Sequence, residues 1–430
     1  MTFLVELGAA MNTTTQPVYV VQSRLTNVAR AYGASMAAVS AFPTYLMVSI
    51  GRGEPAVLEL TTTSTGSARL DQVAALDRLL ELAERAELDP AEGLRRLEEI
   101  RSMEPRFGRL QAVAGYSLVA VGICLVLHPA PLEVLAAAVL GAFVGLLRSV
   151  VQGQQTLQVM TPVIAAFAVS ALSAWAVQQD ISDLGLRPMV ASLVVFLPGA
   201  ALTTSVLELA AGQMISGASR LVWGIVQLAL LAFGILAGIE AIGVSRSRIL
   251  FSTEALLGEL AIWIGVLVFA IGVVVADSAP RRSLPGLLIV LYSAFAAQVI
   301  ANTLLGGYVA ALIGATVMTV MAFVVERLPN AMPAHAAFLP GFWLLVPGAL
   351  GLIGLTRLAG GGDDQELFVT VGSIFAVALG VLFGTQLLAW ATHAGRAIDR
   401  ATDRGDWLGQ FRKQSGGRSS PERGGGSPDL

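Results

Sequence analysis

The sequence predicts a polytopic α-helical membrane protein with a small soluble α/β domain at its amino end. Three observations carry that prediction. Of the 430 residues, 55% are hydrophobic and only 13% charged, with a mean hydropathy of +0.72, a balance too apolar for a soluble chain of this length. The charge is also unevenly spread: residues up to Arg109 are rich in acids and bases, whereas 110–393 contains long runs with almost none. Finally, the run VFLPG at 195–199 recurs as AFLPG at 337–341, each copy following a series of hydrophobic segments. Helix-breaking residues at matching places in two halves predict a small-solute transporter made of two repeats.

Residues 1–109 form the soluble α/β domain. The start has no basic stretch, and Glu6, Asn12 and Thr13 interrupt any early hydrophobic run, so no signal peptide is expected. Pro17 opens a helix over 18–32 that closes near Gly33. The run TYLMVSI at 44–50 reads as a strand, the glycine- and proline-containing 51–55 as a turn, and 56–63 as the returning strand. Apolar residues at Leu70, Val73, Leu76, Leu79, Leu80 and Ala83 have a helical period. Asp89 caps a further helix that begins at Pro90 and runs to about residue 103. The carboxylates Asp71, Asp77, Glu81, Glu84 and Glu87 alternate with Arg78 and Arg85 and read as a solvated face. The threonine run at 61–65 has no histidine in its domain to activate it.

Ten candidate spans follow. The first repeat, 110–250, holds 111–128, 132–151, 158–177, 188–206 and 218–242; the second, 251–393, holds 255–276, 285–302, 306–325, 338–356 and 367–390. Most have the ~17–25 apolar residues needed to cross the hydrocarbon layer. Pro340 and Pro347 interrupt the ninth, which is tolerated where the freed backbone groups face protein or water. Five spans per repeat give the two copies inverted topology, the arrangement behind alternating access. An even total puts both termini on one side. Arg106 and Arg109 before the first span and Arg396, Arg400, Arg404, Arg412, Lys413 and Arg418 in the polar tail, 394–430, place that side in the cytoplasm. Arg281 and Arg282 agree with this orientation, and Arg246 and Arg248 oppose it.

The candidate binding or gating residues cluster around the proline-glycine landmarks. Pro198 and Gly199 open the fourth helix, Thr203, Thr204 and Ser216 add hydroxyls, Glu208 adds a carboxylate, and Gly212 permits close approach. Helix amino ends favour the carboxylate of a zwitterionic amino acid, while hydroxyls, carbonyls or a carboxylate receive its ammonium. In the second half Pro340, Gly341, Pro347 and Gly348 bend the chain, Trp343 lines the route or anchors at the interface, and Asn302 contacts substrate or caps a turn. Glu208, Glu240 and Asp277 are the proton-coupling candidates, because a carboxylate within lipid is costly unless it serves a path. For each of these residues an ordinary interfacial or packing role stands beside the functional one. The polar run at 152–155 is a gate or a loop. Cys124 is alone and lies in an apolar segment. His128, His335 and His393 are too far apart for metal-ligand spacing, and no nucleophile-base constellation is complete. There is no catalytic site or metal site in this reading, and no nucleic-acid partner is expected at a net charge of −3.

The pattern LPG…T…E…G…SG…R, carried by Leu197, Pro198, Gly199, Thr203, Glu208, Gly212, Ser216, Gly217 and Arg220, resembles the threonine/serine exporter family, also called ThrE. That family commonly has Asn after the threonine, where this chain has Thr204; Glu208 is near the family's acidic position. The resemblance implies a fused two-part member that exports L-threonine, L-serine or related small amino acids across a bacterial cytoplasmic membrane. It implies drive by the proton-motive force and no cofactor, and a homo-oligomer is left open. The sequence has no GxxxxGK[ST] run for an internal ATPase. The alternative functions are a channel, a membrane scaffold or a membrane-tethered hydrolase.

Overall fold

The computed structural model describes residues 1–391 except 15, 52–56, 63–67, 152–154, 181–184, 246–248, 250–256, 329–330, 346 and 361–370. The turn at 52–55, the polar run at 152–154, Arg246, Arg248, His393 and the basic tail therefore lie outside the described residues. The chain divides into two units, Met1–Gly384 and Thr385–Leu430; of the second, only 385–391 is described, as the end of a helix.

The amino-terminal part holds α1 (Thr2–Asn12), α2 (Val18–Ala31), β1 (Ala38–Ala41), β2 (Tyr45–Ile50), β3 (Val57–Thr62), α3 (Leu70–Glu84) and α4 (Pro90–Ser102). The strands form an antiparallel meander in the order β1-β2-β3, with Val39 opposite Val48 and Met47 opposite Leu60. Its core is separate from that of the apolar helices and contains Leu7, Met11, Leu25, Leu46, Val48, Leu80 and Leu97, all essentially without exposure. Asp89 caps α4 by accepting from the Ala91 N–H at 2.9 Å, and Pro90 occupies the first turn, where its missing N–H costs nothing. Two elements here were not legible as such, α1 and β1. In α1 the buried side chains Phe3, Leu4, Leu7 and Met11 follow a helical period, while Glu6 turns outward to Arg101.

The apolar part begins with α5 (Arg109–Val126), α6 (Pro131–Val151), α7 (Gln155–Gln178), α8 (Leu186–Ser192), α9 (Gly199–Ala210) and α10 (Met214–Ile242). It continues with α11 (Leu260–Ala276), α12 (Leu284–Leu304), α13 (Gly307–Glu326), α14 (Ala334–Leu344), α15 (Pro347–Ala359) and α16 (Val371–Ala391). Among the described residues seven helices are long and apolar enough to cross a bilayer, and the α8–α9 pair, bent by 54°, makes an eighth. The sixth predicted span is the shorter α11, and the ninth is divided between α14 and α15. These helices identify a multi-pass membrane protein.

Contacts to the amino-terminal domain fix which helix ends lie near it. The Leu70 N–H donates to the Asp277 carbonyl just after α11, the Val18 N–H reaches Glu208 near the end of α9, and α14 packs on α3. At the opposite end the Gly185 N–H, just before α8, donates to Glu133 in the first turn of α6. There too Gln178 of α7 donates to the Ile242 carbonyl at the end of α10.

α5 and α11 run antiparallel with their backbones in contact. A Cβ on Gly115 would stand 2.5 Å from the Ala276 backbone nitrogen, one on Gly122 2.5 Å from that of Phe269, and one on Gly272 2.6 Å from that of Val119. Small residues are what allow so close an approach between helices in lipid, where no hydrophobic force drives them together. The same device recurs in two other places. Gly234 and Gly238 of α10 lie on α7 at Val163, Ala166 and Ser170, and Gly380 and Gly384 of α16 lie on α13 at Leu312, Ala315 and Thr319.

Candidate functional site

The two interrupted helices lie side by side in opposite directions. α9 packs on α14, in the half nearer the amino-terminal α/β part, and α8 packs on α15 in the other half. The first interruption arises where Ser192 ends α8. A single 3₁₀ turn at Val194–Phe196 follows, Leu197 is extended, and Pro198 precedes the first residue of α9. Pro198 cannot donate a backbone hydrogen bond to the turn before it, so the helix is broken there rather than curved.

The second interruption does not fall at the repeated run. Pro340 lies inside α14, and Gly341 lets that helix press on the Met318 side chain. α14 ends at Leu344, and Pro347-Gly348 opens α15 as Pro198-Gly199 opens α9. Pro347-Gly348, not Pro340-Gly341, thus holds the place in α15 that Pro198-Gly199 holds in α9.

Three buried polar atoms on these elements have no hydrogen-bond partner: Thr203 Oγ1 on α9, Trp343 Nε1 on α14 and Thr356 Oγ1 on α15. Among the described residues only five buried side-chain polar atoms are in that condition, so three of them belong to one set of mutually packed helices. Each orphaned group costs on the order of 1–3 kcal/mol, which a visiting polar solute would offset.

Glu208, fully buried near the end of α9, is already occupied. The Arg220 Nε–H donates to both carboxylate oxygens at 3.1 Å, and the backbone N–H of Val18 donates to Oε1 at 3.0 Å. Val18 begins α2, so Glu208 also sits at the positive end of that helix. Close by, Gln213 donates to Gln22 at 3.2 Å, a second link between the amino-terminal α/β part and the apolar helices.

A cavity of about 760 Å³ opens where the amino-terminal α/β part meets the ends of α5, α6, α7 and α11. Its wall includes Arg69, Glu104, Tyr116, Arg148, Phe196 and Asp277. Phe196 belongs to the 3₁₀ turn ahead of Pro198, so the cavity reaches the first helix break. The Arg148 guanidinium lies 4.8 Å from the Tyr116 ring centre and 5.7 Å from that of Phe196. Burial pushes the Asp277 carboxyl above its ordinary range, and Arg148 opposes that shift.

Residues 2–241 match the model of the ThrE family, described as "Putative threonine/serine exporter". The chain belongs to the ThrE family. The match covers α1–α9 and nearly all of α10, more than half of the chain, and does not extend to the second set of five predicted spans. No curated protein and no solved structure matches the chain. ThrE is a family of transporters, and the described residues include no group of three or more His, Cys, Asp or Glu that could hold a metal ion.

Within this ThrE member the residues singled out from the sequence divide into three groups. Pro198, Gly199, Thr203 and Thr204 are buried on the α9 side of the break, and Gly341 and Trp343 are buried on the adjacent α14. Gly212, in the left-handed region at φ +79°, lies in the α9–α10 turn and Ser216 in the first turn of α10, between Glu208 and its partner Arg220 in the chain. Asn302 and Glu240 lie exposed at the far ends of α12 and α10, at the opposite end of the bundle from Glu208 and Asp277. Thr356 and the pairing of Arg148 with the cavity were not singled out from the sequence. A charge near the end of an apolar helix was the available signal for the second, its ring partners Tyr116 and Phe196 lying on other elements; a lone threonine in α15 offered none.

Proposed function

We propose that this protein is a secondary exporter of L-threonine, L-serine or related small amino acids, working by alternating access. The observation that carries the reading is the antiparallel pair of broken helices with unpartnered Thr203, Trp343 and Thr356 groups, within a chain of the ThrE family. Broken helices give a solute both backbone and side-chain partners at the middle of a membrane.

Inverted repeats of five helices, fused in one chain, supply the alternation. Internal correspondences support this. In α6 the buried positions are Glu133, Ala137, Leu140, Gly141, Val144 and Gly145; after Arg281 the order is repeated by Ser283, Leu287, Val290, Leu291, Ala294 and Phe295. The glycine pairs of α10 on α7 and of α16 on α13 correspond in the same way, and α5 crosses its counterpart α11 head to tail.

Glu208 is the proposed coupling carboxylate. Protonation would weaken its hold on Arg220 and on the amino end of α2 together, joining proton movement to the α9–α10 turn. Both termini are placed in the cytoplasm of a bacterial cell, with the soluble domain at the inner mouth.

The test is flux of labelled threonine and serine in liposomes carrying the full chain, with and without an imposed pH gradient, for the native protein and Glu208→Gln. Saturable, gradient-stimulated flux that E208Q uncouples is expected. Flux without saturation or counterflow would identify a channel, and folded protein that moves neither amino acid would end the export reading.

A further inference from the structure

We propose that Arg148 and Asp277 recognise the two charges of the substrate, Arg148 taking its α-carboxylate and Asp277 its ammonium, in the cavity beneath the soluble domain. The inference rests on the amino-acid export reading and adds to it the place and polarity of the entry site. Among the described residues neither side chain has a hydrogen-bond or ion-pair partner, although both line the same cavity.

Three other arginines near the junction are spoken for, whereas Arg109, at the exposed start of α5, is not. Arg69 is held by Asp71 and donates to the Met103 carbonyl at 2.7 Å; Arg24 is held by Asp77 and Glu84; Arg220 is held by Glu208. Arg148 instead rests on the faces of Tyr116 and Phe196, which fix a guanidinium in position while leaving its N–H groups free to donate.

The mixture of charges selects the ligand. A simple anion would meet the Asp277 and Glu104 carboxylates, and a simple cation would meet Arg148, Arg69 and Arg109. A small zwitterion satisfies both signs at once. Arg148 offers the planar fork that suits a carboxylate, and Asp277 supplies acceptors only, which suits an ammonium. Val195, Phe196 and Ala276 leave an apolar wall for a short side chain. Because the guanidinium also touches Phe196, a carboxylate bound there lies against the turn that leads into the first break.

The experiment measures binding of labelled L-threonine to the purified full chain in detergent, competed by threoninol, which lacks the carboxylate, and by N-acetyl-threonine, which lacks the ammonium. The native protein should prefer threonine to either by roughly 10- to 100-fold, the worth of a charge-assisted hydrogen bond. Arg148→Gln should abolish the preference over threoninol and leave the preference over N-acetyl-threonine, and Asp277→Asn should do the reverse. Arg148→Lys should recover part of the first preference, which a merely structural arginine would not do in a ligand-specific way. Native protein that binds and moves threonine while both variants keep both preferences would overturn this inference alone. Folded native protein that neither binds nor moves threonine or serine would overturn the export reading and this assignment with it.

Discussion

Glu208 of α9 and Arg220 of α10 are joined inside the protein, the Nε–H of Arg220 shared between both carboxylate oxygens at 3.1 Å. The carboxylate has no exposure and the arginine little, so the pair is cut off from the water that would otherwise make it weak. Its geometric role is to close the α9–α10 turn and to present Glu208 to the first amide of α2.

Removing one member of such a pair should be costly. Arg220→Met is expected to destabilise the folded protein by about 3–5 kcal/mol, because Glu208 is left buried with one backbone donor. Glu208→Gln should cost less, since the amide oxygen can still accept from Val18. Unfolding of each variant in detergent, compared at one pH, checks the order; equal losses would mean that the ion pair contributes nothing beyond its hydrogen bonds.

Backbone contact between α5 and α11 leads to a second prediction. Gly122→Ala places a methyl 2.5 Å from the Phe269 nitrogen, and backbone cannot move aside as a flexible side chain can. The helices must separate, with an expected loss of about 1–3 kcal/mol or more. Gly243→Ala meets no atom within 4 Å and carries only the strain of its φ of +80°, about 1–2 kcal/mol. A larger drop in thermal stability for G122A than for G243A is the expected measurement.

The architecture was legible because its signals are local. Composition separated the amino-terminal α/β part from the apolar helices, the helical period of Leu70 to Ala83 gave α3, and Asp89-Pro90 gave the start of α4 to the residue. The apolar runs also marked the positions of the helices in order. What failed was register: the run AFLPG at 337–341 looks like VFLPG, yet Pro340 is accommodated within α14 and the chain breaks before Pro347. Sequence likeness around one proline cannot say which of two prolines loses its helix, since that depends on packing such as the close approach of Gly341 to Met318 and not on residue type alone. The partners of Glu208 were hidden for a different reason. Val18 is a backbone donor about 190 positions away, and a backbone N–H leaves no trace in residue type.

Thr203 and Thr356 allow stability and transport to be separated. Their hydroxyls have no protein partner, so Thr203→Val and Thr356→Val keep shape while removing an orphaned polar atom. Stability should stay level or rise by about 1 kcal/mol. If the hydroxyls receive substrate, the KM for threonine should rise severalfold in the same variants. Unchanged transport kinetics with raised stability would return both residues to simple packing.

The environment of Asp277 fixes the sign of a pH effect. Burial holds its carboxyl above the ordinary aspartate value of about 3.9, with Arg148 acting against the shift. A raised carboxyl takes up its proton sooner as pH falls from neutral. The neutral acid loses its charge attraction for an ammonium, so threonine affinity should be complete above the raised pKa and decline as pH drops through it. The other charged or titratable groups on the cavity wall are Arg69, Glu104, Arg109, Tyr116 and Arg148. Glu104 is the other carboxyl group among them. Binding measured from neutral to acid pH should therefore show the same decline in Glu104→Gln as in the native protein, and a flat, weak profile in Asp277→Asn. A decline that survives in D277N and disappears in E104Q would transfer the titration to Glu104, and the ammonium would then be held on the other side of the cavity.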